Sequence, residues 1–143
     1  MRALLDVNIL VALIDRQHVS HLAAHRWLVQ NLSHGWASCP LTENGCIRIL
    51  TNPRYPAPVS IEAAFEKITL AKASGHHEFW PDDLSITDPA YFNPAAIQGH
   101  QQITDAYLLA LAVHHGGRLV TFDKRIIPSP VRVAQPHHLV VVE

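Results

Sequence analysis

The sequence predicts an α/β fold, a three-layer α/β/α sandwich around a central parallel sheet of four or five strands. Short apolar runs alternate along the chain with segments of helical period, which is the signature of repeated strand–helix–strand units. The strand candidates are continuously apolar instead of alternating, as expected where helices cover both faces of a sheet. A length of 143 residues is enough for one core, so a single domain over 1–143 is expected.

Each element follows from local chemistry. Ala3-Leu4-Leu5 is a buried strand ending at Asp6, and Asn8 to Ile14 form a short helix. Val19 to Leu32 place Leu22, Ala23, Trp27, Leu28 and Leu32 on one helical face, and Ser33-His34-Gly35 ends that helix. Trp36 to Cys39, bounded by Gly35 and Pro40, is the second strand. Leu41 to Leu50 are helical, with Cys46, Ile47, Ile49 and Leu50 apolar. A proline-bearing loop runs from Asn52 to Pro58. Ser60 caps a helix over Ile61 to Ala73, which Gly75 stops. Glu78-Phe79-Trp80 is a brief strand ended by Pro81, and 82–99 form a long loop with at most one helical turn. Thr104 to His114 is apolar nearly all round, as in a helix buried between other elements. Gly116-Gly117 terminates it. Arg118 to Thr121 is a strand, 128–136 a proline-spaced connection, and Leu139 to Val142 a final strand.

Composition narrows the function. Hydrophobic residues make up 48% and charged residues 16%, so the interior is large or part of the surface meets a partner. Eleven Lys and Arg stand against twelve Asp and Glu, without the basic excess usual in nucleic-acid binders. No secretory signal and no apolar stretch near the ~20 residues of a spanning helix is visible, so a cytoplasmic protein away from membranes is expected. Cys39 and Cys46 read as reduced, buried thiols. Eleven histidines include the pairs His76-His77, His114-His115 and His137-His138, with His18, His21 and His25 on one helical face. No carboxylate or cysteine stands beside them at a spacing that completes a zinc site, so they are assigned to solvated helix faces and loop ends.

Four acids occupy a special topological place. Asp6 follows the first strand, Glu43 follows the second across Pro40-Leu41-Thr42, and Asp123 follows the strand ending at Thr121. Asp105 lies in the first turn of the buried helix. In a parallel sheet with right-handed crossovers, strand C-termini and helix N-termini share one edge, where ligands bind. Each acid also has a purely structural reading. Asp105 and Glu43 suit helix N-termini, and Asp123 suits a turn. Asp6 is hardest to dismiss, because a lone buried charge is costly. Two carboxylates ~4 Å apart repel by roughly 4 kcal/mol at an effective dielectric of 20, so a cluster calls for a cation. Oxygen donors without thiol or imidazole partners suit Mg²⁺ or Mn²⁺, which can activate water and neutralise a phosphodiester. Asn8 is placed to orient the Asp6 carboxylate, and Thr121 that of Asp123.

These residues resemble a known family. Asp6-Val7-Asn8, Thr42-Glu43, Ile103-Thr104-Asp105-Ala106-Tyr107-Leu108-Leu109-Ala110-Leu111-Ala112 and Leu119-Val120-Thr121-Phe122-Asp123 look like the four acid motifs of PIN-domain endoribonucleases. In order and spacing, over the whole chain, they are similar to the VapC toxins of VapBC toxin–antitoxin modules. Phe79-Trp80-Pro81-Asp82-Asp83 looks like a subgroup feature, and Val7 stands where the family often has Thr or Ser. The resemblance implies a PIN-like sandwich and Mg²⁺-dependent cleavage of RNA, often tRNA or ribosomal RNA. It implies a homodimer and a VapB-type antitoxin whose segment blocks the acidic groove. Asp6, Glu43, Asp105 and Asp123 are then the catalytic acids, with Asp6, Asp105 and Asp123 on the metal. Arg48, Arg54, Lys124, Arg125 and His100 are the candidates for RNA contact. Two other readings stand beside this one. An acid-edge phosphatase or phosphoacceptor usually needs a second Asp where Asn8 stands. A non-catalytic PIN-fold binding module has no use for four acids.

Overall fold

The computed structural model describes residues 1–143. Five strands, β1 (Ala3–Leu5), β2 (Trp36–Ser38), β3 (His77–Phe79), β4 (Arg118–Thr121) and β5 (Leu139–Val141), form one sheet. Its order is β3-β2-β1-β4-β5 and every pairing is parallel. Five helices connect them: α1 (Val7–Ile14), α2 (His21–Asn31), α3 (Pro40–Thr51), α4 (Ile61–Lys72) and α5 (Ile103–His114).

Alternation along each strand divides the core. Leu4, Ala37 and Leu119 pack with α5 on one face of the sheet. Ala3, Leu5, Trp36 and Val120 pack with α1, α2, α3 and α4 on the other. Both faces are covered, so residues of both parities are apolar, as the continuously apolar strands require. In α5, Ala106 to Ala112 are buried without a break. Each large side chain there contributes roughly 1.5–3 kcal/mol of apolar burial, which anchors the helix whose first turn carries Asp105.

The chain starts at the centre of the sheet, grows outward through β2 and β3, then returns to add β4 on the other side of β1. The reversal leaves a crevice between the C-terminal ends of β1 and β4, the place where open α/β sheets bind ligands.

Some expectations shift. The helix over Val19 to Leu32 begins only at His21, and Val19 and Leu22 are 95% and 72% exposed. Helix α2 rests on α1 and buries only Ala24 fully, so its apolar period over-reaches the contact available. Strand β3 lies one residue earlier than Glu78–Trp80. The Trp80 N–H still donates to the Ser38 carbonyl at 2.9 Å, but its ring turns into the core. The long loop 82–99 holds one 3-10 turn, Pro94–Ala96, and is tied to the 128–136 connection through Phe92 and Val131. Ser60 caps α4 as expected, its hydroxyl accepting from the Ala63 N–H at 3.1 Å. Both cysteines are free and buried. No helix is long and apolar enough to cross a membrane.

Candidate active site

Asp6 is the last residue before α1 and caps it. Its Oδ1 accepts from the Val7 N–H at 2.7 Å. Its own N–H stays in the sheet, donating to the Val120 carbonyl at 2.9 Å. The residue is therefore fixed by strand and helix together, and it is 7% exposed. On the neighbouring strand, the buried Thr121 hydroxyl donates to Asp6 Oδ2 at 2.7 Å. The Thr121 hydroxyl oxygen itself accepts from Asn8 Nδ2 at 3.1 Å and from the Asp123 N–H at 3.0 Å. Asn8 Oδ1 in turn accepts from the Phe122 N–H at 3.2 Å. Thr121 thus orients Asp6, and Asn8 orients Thr121. This corrects the sequence expectation, in which Asn8 served Asp6 and Thr121 served the Asp123 side chain. The parallel β1–β4 pairing brings the hydroxyl across to Asp6, and Asn8 reaches over the same gap.

Three acids converge here. Burial pushes the Asp105 carboxyl up to about 6, and the nearby charges of Asp6 and Asp123 push it the same way. Burial also raises Asp6, against the hydrogen bonds from Thr121 and Val7, with Asp123 adding repulsion. Asp123 moves the other way. The Arg125 side chain clamps it in a two-toothed contact, Nε to Oδ1 at 3.0 Å and Nη2 to Oδ2 at 2.9 Å, and the Arg125 N–H adds a bond to Oδ1 at 2.9 Å. These contacts hold Asp123 below the usual carboxylate range.

Glu43 stands apart. It opens α3, but its Oε2 accepts from the Ser38 hydroxyl at 2.7 Å and its Oε1 pairs with Lys72 at 3.0 Å. It is not among the charges that shift Asp6, Asp105 or Asp123. Its carboxylate lines a different cavity of about 480 Å³ between α1, α2 and α4, walled by Leu10, Leu13, Leu28 and Ile68. Val7, in the position after Asp6, meets the bare backbone of Gly45, where a Cβ would lie 2.7 Å from Val7 Cγ2. A close α1–α3 contact takes the place of a hydroxyl.

The cationic candidates separate as well. Arg125 belongs to the acid cluster through Asp123. Lys124 is exposed beside it, and His100 lies exposed on the 3-10 turn that leads into α5. Arg48 and Arg54 are exposed on and just after α3. Sequence reasoning missed Arg125 as a partner of Asp123, although two-residue spacing after an Asp is a turn signal. It also missed Ser38 and Lys72 as partners of Glu43, for which the sequence offers no signal.

A fit to a divalent cation follows from the donor set. Three carboxylates of which two are destabilised as anions, at a crevice without thiol or imidazole, match a hard cation.

The PIN domain family model matches residues 3–128. Ribonuclease VapC44 of Mycobacterium tuberculosis is 47% identical over 139 residues, covering 97% of this chain and 98% of that protein. The chain is a PIN domain of the VapC family. Ribonuclease VapC39 of the same organism is 44% identical over 131 residues, covering 90% of this chain and 94% of its own length. Among solved structures, VapBC2 from Rickettsia felis, bound to a DNA fragment from its promoter, superposes with a TM-score of 0.67 at 15% identity over the full length of both chains. Mycobacterium tuberculosis VapC20, described as a sarcin-ricin loop cleaving toxin, gives 0.62 at 13% identity over 94% of this chain and 99% of that one. These likenesses show the same α/β fold, a parallel sheet with helices packed on both faces.

Proposed function

We propose that this VapC-family chain is a divalent-metal-dependent endoribonuclease, with Mg²⁺ or Mn²⁺ as the ion, acting as the toxin of a VapBC pair. The observation that carries the reading is the convergence of Asp6, Asp105 and Asp123 at the switch point between β1 and β4. The ribonuclease names of its relatives support it. Asp6, Asp105 and Asp123 would hold the ion. When bound, the ion neutralises phosphodiester charge and lowers the pKa of a water to make a nucleophile. The chain's own residues do the rest. Thr121 fixes the rotamer of Asp6, Asn8 fixes Thr121, and Arg125 keeps Asp123 ionised. Asp105 is the group most relieved by a cation, because repulsion and burial both oppose its charge. We assign Glu43, held by Ser38 and Lys72, a supporting part at the rim of the neighbouring apolar groove and not on the ion. We assign Lys124, Arg48, Arg54 and His100, all exposed, to contact with RNA phosphates, with Arg125 contributing its exposed edge. A tRNA or ribosomal RNA is the proposed substrate.

The partner reading rests on the apolar cavity and on exposed hydrophobic side chains. An antitoxin segment of the VapB type fits the groove walled by Leu10, Leu13, Leu28 and Ile68, whose rim carries Glu43 and Lys72. Leu22, Val29, Phe65 and Leu70 are exposed on α2 and α4 and supply apolar area for the antitoxin or a second copy. A homodimer in the cytoplasm is part of the same proposal. The deciding experiment is cleavage of total cellular RNA by protein free of antitoxin, with Mg²⁺ and with excess chelator. Discrete fragments that need metal and vanish in Asp6→Asn and Asp105→Asn are expected. Full activity in either variant removes the metal-site model.

A further inference from the structure

The histidine pair at the end of α5 is not used by the acid site. His114 is the last residue of α5 and His115 its C-cap. Asp83, from the long loop after β3, reaches both. Its Oδ1 lies 2.9 Å from His115 Nε2 and its Oδ2 3.6 Å from His114 Nε2. One ligand atom from each residue falls within 4.8 Å of the others. Zinc bonds of about 2.0–2.1 Å in tetrahedral geometry place neighbouring ligand atoms roughly 3.3–3.5 Å apart, so small adjustments would close the set on one ion.

The surroundings suit such an ion. The Tyr91 hydroxyl sits 2.7 Å from His114 Nδ1, the outward bond that fixes a ligating imidazole and leaves Nε2 free for metal. The His115 ring stacks on buried Trp80, with 4.8 Å between centroids and 11° between planes. Its side chain is therefore held before any ion arrives. The carbonyl end of α5 adds the negative pole of the helix to the Asp83 charge. Two imidazoles and one carboxylate select a borderline ion such as Zn²⁺ over Mg²⁺. Asp105 lies nine residues back along α5, about 14 Å away at 1.5 Å per residue, so the two sites are separate.

We propose that Asp83, His114 and His115 form a Zn²⁺ site that clasps the loop after β3 to the C-terminus of α5. Three protein ligands leave a fourth position for water. The sequence did not show it because the carboxylate comes from 31 residues before the first histidine, brought there only by the fold.

The test is calorimetric titration of the full chain with Zn²⁺ alone, with imidazole NMR signals followed in parallel. A saturable site that moves the His114 and His115 signals is expected, and it persists in Asp105→Asn, which separates it from any Zn²⁺ taken up by the three acids. Affinity should fall at least ~10-fold in Asp83→Asn and His115→Gln, and about 10–100-fold in Tyr91→Phe, which removes only the orienting bond. Asp83 is exposed, so Asp83→Asn keeps the fold, and circular dichroism without metal verifies this. Zn²⁺ affinity unchanged in both Asp83→Asn and Tyr91→Phe overturns the proposal. So do imidazole signals that stay still while Zn²⁺ saturates the protein, or an absence of saturable binding.

Discussion

Replacing Asp105 with Asn should make the metal-free protein more stable, and only above a defined pH. The carboxyl has a folded pKa of about 6 against 3.8 for the free side chain. At 1.36 kcal/mol per pKa unit, holding the anion in place costs at most about 3 kcal/mol. Asp105 is partly open to solvent, and screening reduces this to about 1–2 kcal/mol. The folded state binds the proton more tightly than the unfolded chain. Stability is therefore full below the unfolded value, falls as pH rises between the two values, and stays reduced above about 6. Asparagine cannot ionise and escapes the loss. In chelator at about pH 8, Asp105→Asn should melt roughly 3–6 °C above wild type. The gap should close toward pH 4. Denaturant titration at the two pH values, fitted with a common slope, reads the same difference. Adding Mg²⁺ should raise the wild type more than the variant, since binding to the folded state stabilises by mass action. A variant no more stable than wild type at high pH, or a gap that ignores pH, refutes the account of repulsion and burial.

Other outcomes follow from the same contacts. Thr121→Val keeps the shape but leaves the Asn8 amide and the Asp123 N–H without their acceptor. It should cost about 1–3 kcal/mol by denaturant titration and weaken Mg²⁺ binding about 10–100-fold. Arg125→Ala should release Asp123 so that its carboxyl titrates higher by NMR; an unmoved titration means the clamp is absent in solution. The same variant should lower the salt dependence of RNA binding if Arg125 also meets phosphate. Cys39 and Cys46, pushed up to about 11 and 12 by burial, should stay unmodified by a thiol reagent in the folded protein and react on unfolding. Rapid labelling of the native chain contradicts their burial.

Much of this fold is legible in local pattern along the chain. Helix α5 announces itself because seven successive buried positions leave no polar face to misplace. The strands announce themselves by apolar runs too short for helices. Strand order then brings Asp6 and Asp123 to neighbouring ends, and the first turn of α5 adds Asp105. What local pattern misses is who bonds to whom across the fold. Topology groups Glu43 with the other acids, yet its oxygens are taken by Ser38 and by Lys72, which lies 29 residues away. Leu22 has the period of a core residue but lies beyond the reach of α1. Asn8 and Thr121 read as supports from their spacing to the acids, and only the β1–β4 register decides which group each one serves. Side-chain partners separated by tens of residues depend on packing, and packing has no one-dimensional signature.

The bond between Thr121 and Asp6 spans 115 positions of sequence. During synthesis the ribosome releases Asp6 early and Thr121 late, so a nascent chain that ends before β4 holds one acid without its neighbour strand. Long-range pairings of this kind form late, because chain closure must precede their reward. Asp6, Asp105 and Asp123 come together only once β4 docks beside β1, so the proposed metal site is among the last parts of the fold to assemble.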